Sequence, residues 1–163
     1  MRRMREGRRP QWSPDGGKLS LTVCTDASTY GLDVGVFTVN VDGSEVRRLV
    51  PFTSFDADWA PDGRRIAFTI AYGASSPDGA DVYTARSNGA QLGRLTRNGR
   101  RLTSLSPAWS PDGTRIAFVR MGRGERGFSD LYSMRANGSG LRRLTKTPFG
   151  EDSPSWGARS VLH

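Results

Sequence analysis

Histidine and cysteine are all but missing from this chain of 163 residues. The single histidine is His163, the last residue, where ordering is poorest, and the single cysteine is Cys24. A serine–histidine–aspartate triad therefore has no base, and a zinc site built on histidine or cysteine has no ligand set. One cysteine allows no internal disulfide; on an apolar strand it is expected to be a buried, inert thiol. Lysine is scarce too. Lys18 and Lys146 stand alone, so the net charge of +8 rests on arginine. No run approaches the roughly 18 apolar residues that cross a bilayer, so no membrane span is expected. The positive start, Met1 to Arg9, has no apolar segment behind it, which reads as no export signal and a cytoplasmic default. The nearest approach to a G-x-S-x-G elbow, Gly73-Ala74-Ser75-Ser76-Pro77, fails at its last position, and no glycine-rich phosphate loop opens a helix. The chain is expected to be no enzyme and to hold no cofactor or metal.

What is present is a repeat. WSPDGGKLSLTV from Trp12, WAPDGRRIAFTI from Trp59 and WSPDGTRIAFVR from Trp109 align, and Trp156 follows a similar Ser-Pro-Ser lead-in. The tryptophans are spaced by 47, 50 and 47 residues. A second block recurs in phase: GVFTVNVDGSEVRRL from Gly35, DVYTARSNGAQLGRL from Asp81 and DLYSMRANGSGLRRL from Asp130. Two motifs sharing one period mark a repeat architecture.

Each period reads as four short strands: an approach to tryptophan, a Pro-Asp-Gly turn, a β-rich strand such as Ile66 to Ile70, an aromatic third strand, and a closing strand ending in Arg-Leu. Asp42-Gly43, Asn88-Gly89 and Asn137-Gly138 are read as two-residue hairpin turns with positive φ at both positions. Four antiparallel strands at this period describe a propeller blade. The expected fold is all-β, a partial β-propeller of three four-stranded antiparallel blades (about residues 10–50, 57–96 and 107–145) plus the first strand of a fourth at 154–157. Residues 1–9 are expected as a basic tail and 158–163 as a C-terminal tail.

The W-[SA]-P-D-G-x-[KR]-[IL] box, the aromatic third strand and the terminal R-L-T resemble the repeat of TolB-like propellers, and also that of dipeptidyl-peptidase and tricorn-type propellers. The resemblance covers about residues 10–157 and implies fold more than function. TolB-like proteins bind partner proteins in the bacterial cell envelope, so the resemblance implies that role and place. Blade one departs from the pattern, with Gly35 where the others have Asp81 and Asp130, and Val50 where they have Thr96 and Thr145.

Because they recur in each unit, Trp12, Trp59, Trp109 and Trp156 read as blade-to-blade packing, and Asp15, Asp62 and Asp112 as turn-closing carboxylates. Strand order puts the short turns on one face and the long, divergent loops on the other, where function concentrates. There, Arg97, Arg100 and Arg101 leave blade two beside Arg120, Arg123 and Arg126 of blade three. These six form the candidate partner-binding patch. The expected function is a non-catalytic scaffold recognising a protein partner, acidic by charge. The alternatives are binding of nucleic acid or another anionic polymer, suggested by a pI near 10.7, and a piece of a larger propeller-containing peptidase. Three blades cannot surround an axis where propellers use four to eight, so a homodimer completing a ring is a further expected partner.

Overall fold

The computed structural model describes residues 4–28, 31–72, 79–99, 102–122 and 128–157. Among them are twelve strands and no helix. The first blade is a four-stranded sheet in the order β1 (Met4–Trp12), β2 (Lys18–Ser28), β3 (Gly31–Asn40), β4 (Arg47–Arg48). The second comprises β5 (Ser54–Trp59), β6 (Arg65–Ala71), β7 (Ala80–Arg86) and β8 (Gly93–Arg94). The third comprises β9 (Leu102–Trp109), β10 (Arg115–Gly122), β11 (Ser129–Arg135) and β12 (Arg142–Arg143). Within each blade every sequential pair is antiparallel. One parallel pair, Ala80 with Thr103, links the second and third sheets.

The cores lie between blades, because successive residues of a strand point to opposite faces. Ile66, Phe68 and Ile70 of β6 join Trp59 against Val36, Leu49 and Val50 of the first blade. Ala67, between them, faces the other way and joins Val82, Trp109, Ile116 and Phe118. Strand β6 thus serves two interfaces, and so does β7, with Ala85 in one and Val82 in the other.

Three sequence expectations change. Residues 4–9 belong to β1 rather than to a tail, since backbone pairing runs from Met4↔Thr25 to Trp12↔Leu19 and leaves Arg8 and Arg9 exposed. The first divergent loop, expected from Thr25 to Leu32, is largely a continuation of β2 and β3, which pair out to Ser28↔Gly31. The hairpin turns are longer than two residues. Asn40 N–H donates to Ser44 C=O and Gly43 N–H to Asn40 C=O, and of the Asp-Gly pair only Gly43 has positive φ, 82°. The extra residue lets the Asp42 carboxylate accept the Ser44 N–H at 2.8 Å, as the side chains of Asn88 and Asn137 do with Ala90 and Ser139.

Residues 154–157 carry no strand. They nonetheless share a local shape with the three first strands. Arg9, Asp56 and Ser106, each three residues before a tryptophan, have φ of 51°, 55° and 51°, and register breaks accompany them. Ser153, three before Trp156, has φ 49°. A left-handed residue in a strand is a bulge device, so Ser153 repeats the bulge residue of the three first strands, although no strand follows it among the described residues.

Candidate functional site

The aspartates after each tryptophan sit in their own turns. Asp15 Oδ1 accepts the Gly17 N–H, Asp62 Oδ1 the Arg64 N–H, and Asp112 Oδ1 the Thr114 N–H, at 2.9 to 3.0 Å. Ser110 Oγ and Thr114 Oγ1 also donate to Asp112, which holds its carboxyl down to about 2. The tryptophans differ in exposure. Trp59 and Trp109 are buried at 6% and 5%, whereas Trp12 is 58% exposed. Trp156 is half-buried, its indole N–H donating to Ala108 C=O at 3.0 Å.

Of the six loop arginines, Arg100, Arg101, Arg123 and Arg126 lie outside the described residues. Arg97 is exposed. Arg120 is half-buried, its guanidinium 4.9 Å from the Tyr132 ring centre and 5.4 Å from that of Phe118, with Nε donating to Ser104 Oγ at 3.3 Å. Burial lowers its pKa, though the guanidinium stays charged at any ordinary pH. Arg97 and Arg120 line one hollow of about 230 Å³, with Leu95, Asn98, Met134 and Leu141. Arg120 also walls a second, of about 460 Å³, with Phe128, Asp130, Tyr132, Arg143 and Lys146. Leu102 and Arg120 are common to both, so the two hollows adjoin; the smaller reaches Gly138 and Leu141 of the third blade's short turn, and the larger lies at the loop end beside Gly122 and Phe128.

Arg143 and Lys146 were not among the six candidate residues. The available signal was the phase of the repeat. Arg143 stands to Asp130 as Arg94 stands to Asp81, and both pairs close at 2.5 Å. Asp81 is fully buried and collects four donors: Arg94, Thr96 Oγ1 at 2.5 Å, Asn98 N–H at 3.1 Å and Tyr72 Oη at 2.7 Å. Burial and its hydrogen bonds to Tyr83 and Asp81 push the Tyr72 hydroxyl well above its ordinary range. Blade one, lacking this carboxylate at Gly35, sends Arg48 to the carbonyls of Val34 and Phe52. There Ser54 Oγ accepts the Val36 N–H, as Thr96 and Thr145 accept those of Val82 and Leu131.

A third hollow, about 540 Å³, crosses the first strands between Arg9, Asp56, Asp58, Trp109 and Trp156. Its carboxylates are engaged: Asp56 takes Arg9 and Ser106, and Asp58 takes the Trp109 N–H at 2.6 Å. Burial raises the Asp58 pKa. Among the described residues no three His, Cys, Asp or Glu side chains gather where they would hold a metal ion. No helix there is long and apolar enough to cross a membrane.

The family model described as the TolB beta propeller domain matches residues 5–158. The chain belongs to the TolB beta-propeller family. Solved structures agree on the fold. A protein from Agrobacterium tumefaciens named "putative TolB" superposes with a TM-score of 0.66 at 22% identity, covering 87% of this chain and 51% of its own. The beta-propeller domain of the Trilobed protease from Pyrococcus furiosus gives 0.66 at 13%, covering 90% and 44%. A puromycin-hydrolyzing peptidase of Mycobacterium tuberculosis gives 0.67 at 17%, covering 87% and 24%. This TolB-family chain spans about half the length of the first of these, and less of the others. No curated protein matches it in sequence.

Proposed function

We propose that this TolB-family chain is a non-catalytic scaffold that recognises an acidic segment of a protein partner on its loop face. One observation carries the reading: Arg97, Arg120, Arg143 and Lys146 line the paired hollows against a single carboxylate, Asp130. Arg100, Arg101, Arg123 and Arg126 adjoin those residues in sequence and would add to their field. Absence of catalysis is supported by the inventory of one terminal histidine and one cysteine. Resemblance to TolB-like proteins is the support for a cell-envelope setting. The peptidase neighbours favour a second reading, in which the chain is the propeller portion of a larger hydrolase.

The test is anisotropy of a labelled glutamate-rich peptide. Arg97→Glu, Arg100→Glu, Arg123→Glu and Arg126→Glu combined should abolish binding. A charge-matched variant on the short-turn side and outer strands (Arg47→Glu, Arg64→Glu, Arg135→Glu, Arg142→Glu) should retain most of it. Equal loss in both would reduce the effect to net charge and sink the assignment. Tight binding of duplex DNA that falls steeply with salt would favour the nucleic-acid reading instead.

Homodimerisation is supported by the two end faces. Trp12 and Leu144 are 58% and 48% exposed, whereas Trp59 and Leu49, at the same repeat positions, pack together at 6% and 4%. Trp12 of one copy would seat on the third blade of another, in place of the lightly held Trp156. Size-exclusion chromatography with light scattering should then give twice 17.8 kDa, and Trp12→Ala should return the monomer. A wild-type monomer removes this arrangement.

A further inference from the structure

The second and third blades are close copies, yet one side chain present in the second has no counterpart in the third. Strand β6 runs Arg65–Ala71 and is followed by Tyr72; the equivalent strand β10 begins at Arg115, which places Gly122 where Tyr72 stands. The pairing fixes this equivalence, since Ala71 faces Ala80 and Met121 faces Ser129. In the second blade the Tyr72 phenol donates to Asp81 Oδ2 at 2.7 Å, meets Tyr83 Oη at 3.0 Å, and lies 5.3 Å below the Arg94 guanidinium. In the third blade the corresponding wall is intact: Asp130, Tyr132 and Arg143 stand in place of Asp81, Tyr83 and Arg94. The phenol is what is missing.

The hollow of about 460 Å³ lies there, lined by Gly122, Asp130, Tyr132 and Arg143. Asp130 is also short of donors. Its Oδ2 takes only Arg143, and its buried Oδ1 has no partner, because Thr145 Oγ1 turns to Glu151 instead. Asp81, by contrast, takes four groups.

We propose that this hollow receives the phenol of a tyrosine from a partner protein, with its hydroxyl donating to Asp130 Oδ2, the counterpart of the oxygen that takes Tyr72 in the second blade, and its ring under Arg143. The site rests on the acidic-partner reading only for the flanking residues: Lys146 and Arg120 on its rim would meet acidic neighbours of that tyrosine. The carboxylate selects against two relatives of tyrosine. Phenylalanine leaves Asp130 without its donor, and phosphotyrosine brings a dianion against it.

Two experiments test the site. Labelled peptides with one tyrosine between glutamates, and the same peptides with phenylalanine or phosphotyrosine, are titrated against the full chain. Tyrosine should bind at least about tenfold more tightly than either. Gly122→Tyr supplies the phenol from within; a Cβ at Gly122 meets nothing within 4 Å, so the variant is expected to fold. It should raise the melting temperature and reduce tyrosine-peptide affinity about tenfold or more. Equal binding of tyrosine and phenylalanine peptides overturns the site while leaving the basic-groove reading standing. If no acidic peptide binds, that reading falls, and saturable binding of N-acetyltyrosinamide, lost in Gly122→Tyr, still upholds the site for a free phenol. No binding of either kind, with an unmoved melting temperature in Gly122→Tyr, overturns it outright.

Discussion

The second and third blades share a strand plan but treat the same carboxylate differently. In the second, Asp81 is sealed by an arginine, a threonine, a backbone amide and a tyrosine, and its work is structural. In the third, Asp130 keeps the arginine and loses the rest. A repeated residue therefore has no single setting; its neighbours outside the motif decide how many of its acceptor positions are filled.

The comparison breaks most sharply at the arginines. Arg94→Leu leaves Asp81 fully buried and short of its cation, which should cost about 3–5 kcal/mol of unfolding free energy. Arg143→Leu uncovers a carboxylate that water reaches, in a pair whose arginine side chain is 43% exposed, and should cost about 1 kcal/mol or less. Urea midpoints of the two variants check the contrast; equal costs would erase the distinction between the blades. The turns give the next effect. Gly89 and Gly43 have φ of 85° and 82°, so alanine strains both. A Cβ on Gly89 would also collide with Leu49 C=O in the neighbouring blade, whereas one on Gly43 meets nothing. Gly89→Ala should therefore lose about 1–3 kcal/mol more than Gly43→Ala, read by thermal melts. Thr96→Val copies the Val50 of blade one into blade two, removing the acceptor of the Val82 N–H and a donor to Asp81. A loss of about 1–3 kcal/mol is expected, read by urea midpoints.

The smallest effects are in pH. The Asp112 carboxyl titrates near 2 in the folded chain against an ordinary 3.8, so the stability it lends is complete above 3.8 and disappears as pH falls toward 2. Asp112→Asn should flatten that part of the acid limb. Asp58 acts with the opposite sign: burial raises its pKa, the folded state holds the proton more tightly, and stability declines as pH rises from 3.8 through the folded value. Asp58→Asn should remove that decline, as denaturant midpoints from pH 3 to 7 would record.

The fold was legible in the sequence because its signals repeat. Tryptophan box, turn and aromatic strand recur in phase, and the family match spans residues 5–158. Blade edges were harder to read. Arginines in Met4–Trp12 looked like a solvated tail, though strand pairing is a backbone property indifferent to them. Turn length was missed since Asp-Gly serves two-residue and longer hairpins alike. At the loop face, the sequence offered a charge count without contacts. Arg120 proves to be stacked on Tyr132, and Arg143 to line a hollow, because their surroundings come from strands distant in sequence. The Tyr72–Gly122 difference was in plain sight, but it falls past the end of the repeated box, where alignment of the units loses its anchor.

A single backbone bridge, Ala80 to Thr103, is the only strand pairing between sheets among the described residues; elsewhere the blades meet through side chains. Such a stack is coupled only between nearest neighbours, and its opening in time follows that order. In a single, unpaired copy the outer blades can each fray by giving up one interface, while the middle blade must give up two. Amides of β6 and β7 should accordingly be the last to exchange with solvent, and those of β1 and β12 the first, with the slowest protons reporting the loss of the whole arc.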